Sequence, residues 1–118
     1  MTGVQTCALP ISGPTLTLSA HRDMLSSGVT AGTIQLPPGG APIVLMVDRQ
    51  TTGGYPRLGD VIAVDLPLVA QLRPGDGIGF ATVTLDEAHA LFRRRERDLA
   101  RAAQAMALRF AAGADGAR

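Results

Sequence analysis

Lysine is absent from the 118 residues, and all 11 basic side chains are arginine. A phosphate-loop lysine, a Schiff-base lysine and a biotinyl lysine are therefore excluded within the chain. Tryptophan is also absent, and Tyr55, Phe80, Phe92 and Phe110 are the only aromatic residues, so stacking platforms for single-stranded nucleic acid are not expected. The single cysteine, Cys7, rules out an internal disulfide. With only His21 and His89 beside it, no metal site is expected, and a reducing cytoplasm is the expected compartment. No apolar run approaches the roughly 20 residues that span a bilayer, because Gly, Pro or Asp interrupts each candidate, so no membrane partner is expected. The net charge of +1 supplies no single-sign field to steer nucleic acid or anionic lipid.

A hydrophobic content of 46% suits one small domain whose core rests on Val, Ile, Leu and Ala. Residues 1–11, MTGVQTCALPI, lack the charge and the apolar run of a signal peptide. They read instead as the translation of a common short-read sequencing adapter, an assembly artefact, with natural sequence expected from about Ser12. That origin would also remove Cys7 as a nucleophile.

From Ser12 to Thr84, short β-favouring runs alternate with turn residues, and strands are expected at Thr15–Leu18, Thr33–Leu36, Ile43–Val47, Val61–Val64 and Ile78–Leu85. Between them Pro37-Pro38-Gly39-Gly40, residues 52–56 (TGGYP) and Arg73-Pro74-Gly75-Asp76-Gly77 each demand turn backbone. After Thr84 the apolar period changes. Thr84-Leu85-Asp86-Glu87 fits a capping box. Ala88, Leu91, Phe92, Leu99, Ala102, Ala103, Met106 and Phe110 then recur three or four residues apart, predicting a helix over 85–112 that stops at Gly113, followed by a tail at 113–118. The RRRER run at 93–97 suits a solvated helix face, with a contact to acidic protein or RNA as the other reading, and His89 suits a surface position.

The stretch that could carry chemistry is 48–56. Asp48, Gln50, Thr51, Thr52 and Tyr55 put a carboxylate, an amide, two hydroxyls and a phenol at the exit of an apolar strand, and Gly53 and Gly54 let backbone amides approach a ligand. The same residue types are ordinary hairpin formers, and Gln35 is equally open to a solvent-facing or a binding role. His21-Arg22-Asp23 makes a poor dyad, since adjacent residues of a strand face opposite ways. Ser26-Ser27-Gly28 lacks the setting of a nucleophile elbow, and no helix is expected after Gly75–Gly79 as a phosphate loop requires.

Several longer strings occur in a fixed order: Gly13-Pro14, Ser26 to Val29, GTIQLPPGG at 32–40, PIVLMVDRQTTGGYP at 42–56, VIAVDLP at 61–67, AQLRPGD at 70–76 and TLDEA at 84–88. Together they resemble the C-terminal portion of the biotin-dependent carboxyltransferase family, also called allophanate hydrolase subunit 2, whose members include the C subunit of 5-oxoprolinase. The resemblance implies that residues 12–84 are part of a cyclophilin-like β-barrel, so that the chain is mainly β and ends in a C-terminal α-helix. It implies a fragment of a multi-subunit enzyme, inactive alone. The activity would be ATP-dependent ring opening of 5-oxoproline to glutamate, or carboxyl transfer to a urea-like amide. It implies Asp48, Gln50 and Tyr55 as catalytic, and Gln35, Thr51, Thr52, Gly53 and Gly54 as contacts to a small amide substrate. ATP or carboxybiotin would arrive on partners such as 5-oxoprolinase subunits A and B. A different class also fits the resemblance: a regulatory antagonist of a sporulation kinase inhibitor. A partial barrel exposes strand edges, so the isolated chain is expected to be poorly stable or to self-associate.

Overall fold

The computed structural model describes residues 8–20 and 24–116, with side chains to residue 113. Cys7 and the His21-Arg22-Asp23 triplet lie outside the described residues. The chain divides into two units, Met1–Asp76 and Gly77–Arg118.

The first unit holds two antiparallel sheets. The larger has the order β1-β4-β3-β6, made of β1 (Ala8–Pro10), β4 (Ile43–Leu45), β3 (Thr33–Gln35) and β6 (Arg57–Asp60). The smaller is a two-rung ribbon of β2 (Ser27–Gly28) and β5 (Thr52–Gly53). Val44 and Leu45 of β4 are fully buried, and with Val29, Leu36 and Val69 they form the apolar core. Thr33 and Gln35 lie two apart in β3, so they share a face, and among the described residues they are the buried polar ones. Residues 8–10, inside the segment with the adapter-like sequence, pair with β4 in the register Ala8↔Leu45, Leu9↔Val44, Pro10↔Ile43.

Turn chemistry follows the sequence closely at two of the three expected breaks. Gly40 N–H donates to the Pro37 carbonyl at 3.0 Å, closing a turn with Pro38 at its second position. Asp76 N–H donates to the Arg73 carbonyl at 3.0 Å, with Pro74 second and Gly75 third at φ +95°, the arrangement of a type II turn. The third break, at 52–56, departs from expectation. Thr52 and Gly53 form a strand against Ser27 and Gly28, and neither Gly53 nor Gly54 has positive φ.

Other expected strands also fail to form. Thr15–Leu18 has no ladder; Leu16 N–H donates to the Gly40 carbonyl at 2.9 Å. Val61–Val64 gives way to a 3-10 turn at Ala63–Asp65 and a short helix, α1 (Leu66–Ala70), because Pro67 suits the first turn of a helix and cannot donate to a ladder. Residues 77–84 have no regular structure, since β-favouring composition yields a strand only where a second strand supplies the hydrogen bonds. Strands β3 and β4 form where expected but stop at Gln35 and Leu45.

The second unit is dominated by α2 (Leu85–Gly116). The capping box is present: Thr84 N–H donates to a Glu87 carboxylate oxygen at 2.7 Å, and Glu87 N–H donates to the Thr84 hydroxyl at 3.1 Å. The helix does not stop at Gly113. Gly113 lacks the positive φ of a C-terminal cap, and the alanines around it favour helix enough to carry one glycine, which costs about 1 kcal/mol. The apolar stripe is exposed from Leu91 to Phe110, and Arg95 stacks over Phe92 at 5.3 Å. His89 is exposed, as expected of a surface residue. Among the described residues, no helix is long and apolar enough to cross a membrane.

Candidate functional site

The polar stretch after β4 begins as a turn. Arg49 N–H donates to the Met46 carbonyl at 3.2 Å, which leaves Asp48 exposed at the strand exit. The chain then runs into β5. Gln50, Thr51, Thr52 and Gly54 are exposed, Gly53 is half-buried, and Tyr55 is 47% exposed. Among the described residues no hydrogen bond joins the side chains of Asp48, Gln50, Thr51, Thr52 and Tyr55. Their functional groups are therefore available to an external molecule.

Backbone bonds hold the loop at both ends. Val29 N–H donates to the Thr51 carbonyl at 3.1 Å, and Leu36 N–H donates to the Pro56 carbonyl at 2.9 Å. Between these ties the β2–β5 ribbon pairs Ser27 with Gly53 and Gly28 with Thr52. The segment is thus pinned to β3 on one side and to residues 27–29 on the other. Its polar and glycine positions are presented along one short stretch of backbone.

Gln35 stands apart from the other candidates. It is 1% exposed, and its amide nitrogen lies so close to Gly53 that a methyl group there would overlap it. The structure therefore brings Gln35 under the loop, while Asp48, Gln50, Thr51, Thr52, Gly54 and Tyr55 are on its outer side. Gln35 Oε1 has no hydrogen-bond partner among the described residues.

Two arginines not singled out by the sequence also belong to this region. Arg49 Nε donates to the Val29 carbonyl at 3.4 Å and its Nη1 to the Val47 carbonyl at 3.1 Å. Arg57 Nη2 donates to the Gly28 carbonyl at 2.8 Å, and Nη1 lies 3.8 Å from Asp60. Arg49 lies inside the motif, in DRQ, and Arg57 directly follows TGGYP. Their roles depend on carbonyls about twenty to thirty residues away, which spacing alone does not reveal. Two guanidinium groups place positive charge beside the loop without removing its hydroxyl, amide or carboxylate groups.

Comparison with known proteins agrees with the residue patterns. The chain is 49% identical over 84 residues to the C subunit of 5-oxoprolinase from Haemophilus influenzae, covering 71% of this chain and 27% of that protein. It is 44% identical over 78 residues to the C subunit of 5-oxoprolinase from Escherichia coli, covering 66% of this chain and 25% of that protein. The chain thus spans about a quarter of the length of these relatives. The family model for the carboxyltransferase domain, subdomain A and B, matches residues 2–82, a span that contains both sheets and the whole 48–56 loop. With more than half of its length matched, the chain belongs to the carboxyltransferase-domain family.

Proposed function

We propose that the chain is the C-terminal part of a carboxyltransferase-family subunit of the 5-oxoprolinase type, and that the Asp48–Tyr55 loop lines its substrate site. The observation that carries this reading is the 44–49% identity to two proteins named as the C subunit of 5-oxoprolinase. Both bear enzyme-subunit names, which favours an enzyme part over a regulatory antagonist. The two antiparallel sheets would be one portion of a cyclophilin-like barrel completed by the remaining length of the domain.

The loop suits an amide or lactam carbonyl. Attack on such a carbonyl moves negative charge onto oxygen, and donors already aimed at that position lower the barrier. Tyr55 O–H, the Thr51 and Thr52 hydroxyls, the Gln50 amide and the Gly53–Gly54 backbone can supply donors. Asp48 supplies a carboxylate able to accept the substrate N–H. The chain has no lysine to carry biotin, so ATP or carboxybiotin would come with partners such as 5-oxoprolinase subunits A and B in a reducing cytoplasm. Alone, the 118 residues would be inactive.

The test is Tyr55→Phe in the complete subunit assembled with its partners, assayed for 5-oxoproline-dependent glutamate formation. Loss of one oxyanion donor should lower kcat by roughly a hundredfold or more while partner binding persists. Unchanged kcat would remove Tyr55 from the chemistry, and loss of assembly would make it a scaffold residue instead.

A further inference from the structure

The two sheets of the first unit are linked by side chains that stand opposite one another. Along β3–β6 the register runs Thr33↔Asp60 and Ile34↔Gly59, then slips so that Gln35 pairs with Arg57. Regular pairing would have placed Leu58 there. The slip leaves Leu58 out of the pairing, a break in register that, as at a β-bulge, re-aims the side chains beside it. Its result is that Gln35 and Arg57 share one rung and one face of the sheet.

Each of the two reaches a different strand of the ribbon. Gln35 directs its amide nitrogen at Gly53 of β5, and Arg57 donates to the carbonyl of Gly28 in β2 at 2.8 Å. Gly53 pairs with Ser27 and Gly28 pairs with Thr52, so the two contacts fall on the two successive rungs of the ribbon. Gly53 has no positive φ, so its backbone does not demand glycine. What demands glycine is room for the Gln35 amide. A buried amide whose Oε1 finds no partner is costly to keep, so Gln35 is poorly explained as filler for an apolar core.

We propose that Gln35 and Arg57 are positioning residues that seat the β2–β5 ribbon on the large sheet and thereby set the height of the Gln50–Tyr55 loop. The seat is a property of the geometry. Its service to catalysis rests on the functional reading of that loop given above. Gln35 then acts through Gly53 and need not touch substrate.

Four variants of the complete subunit with its partners test this: Gly53→Ala, Gln35→Ser, their combination, and Gly59→Ala as a control whose methyl meets nothing within 4 Å. Displacement of the loop should lower kcat of Gly53→Ala by roughly tenfold to a hundredfold, with KM changing far less. A serine in place of Gln35 is shorter and leaves space for the methyl, so the double variant should return to within about threefold of Gln35→Ser alone. Hydrogen exchange at the Val29 and Gly53 amides should accelerate in Gln35→Ser while Val44 and Leu45 stay protected. If Gly53→Ala fails to fold, recovery of folding in the double variant carries the same information. Losses that simply multiply in the double variant, or unaltered exchange in Gln35→Ser, would overturn the seat. Tyr55→Phe measured in parallel separates the two readings. An inert Tyr55→Phe sinks the loop as the site and the catalytic role of the seat with it. A damaging Tyr55→Phe beside a harmless Gly53→Ala sinks the seat alone.

Discussion

Thr33 Oγ1 donates a 2.8 Å hydrogen bond to Asp60 Oδ1 across the first rung of β3–β6, and Thr33 is 0% exposed. The same hydroxyl oxygen accepts from Thr30 N–H at 3.1 Å, closing the turn in which Gly32 takes φ +93°. Asp60 in turn lies 3.8 Å from the Arg57 guanidinium. One buried hydroxyl therefore ties the entry of the central strand to the edge strand that carries Arg57.

Removing that hydroxyl should be costly. Thr33→Val keeps the shape but leaves the Thr30 amide without its side-chain acceptor and Asp60 without its donor. A loss of about 1–3 kcal/mol is expected from the urea midpoint of the complete subunit, with Thr33→Ser close to wild type. A valine variant as stable as the parent would show that the bond contributes nothing net.

The adjacent glycines of the Pro37–Gly40 turn should respond differently to alanine. Gly40 has φ +81°, and a methyl there would stand 2.7 Å from the Leu16 carbonyl oxygen, whereas at Gly39 it would meet nothing within 4 Å. Gly40→Ala is expected to lose about 1–3 kcal/mol and to expose the 12–20 segment to protease. Gly39→Ala should be neutral. Equal melting temperatures for the two would contradict the observed turn.

Helix α2 offers a test in isolation from the sheets. Thr84→Ala removes the acceptor for Glu87 N–H, and a capping loss of about 0.5–2 kcal/mol is expected. Circular dichroism of a peptide covering 82–118 should show less helix in the alanine form, and matching spectra would mean the cap contributes nothing there.

The 118 residues on their own should not behave as a clean monomer. Leu25 is 92% exposed and Phe110 74%, whereas among the described residues the buried apolar core is Val29, Leu36, Val44, Leu45 and Val69. So small a core leaves little margin over the entropy of ordering the chain. Sedimentation and calorimetry are expected to show association and a broad transition. A sharp cooperative melt from a monodisperse monomer would refute this.

Resequencing of the source DNA across the codons for Ile11 and Ser12 addresses residues 1–11. The adapter reading predicts a frame that continues upstream of Ser12 into different sequence. Eleven genuine codons would end that reading.

Local chemistry accounts for the elements that are legible in the sequence. The capping box depends on residues three apart, and the turns at 37–40 and 73–76 depend on Pro and Gly inside four-residue windows. The strands at Thr33–Gln35 and Ile43–Leu45 lie in the apolar runs that mark the core. Thr15–Leu18, Val61–Val64 and Ile78–Leu85 have similar composition without comparable partners, and composition alone does not distinguish the two cases. Glycine at 53 reads as a turn residue in the sequence, yet it is a strand residue kept free of a side chain by Gln35, eighteen positions earlier.

By itself the amino-acid sequence determined the family, the absence of any lysine chemistry, the capped C-terminal helix and the candidate loop, because these depend on residue identity and short-range spacing. Only the tertiary structure decided that Gln35 lies beneath the loop instead of within it, that a slip in register brings Arg57 opposite Gln35, and that Arg49 and Arg57 clasp the carbonyls of Val29 and Gly28. Those relationships depend on strand register and on contacts between distant positions. Register is set by the pairing of whole strands, and no local window contains it.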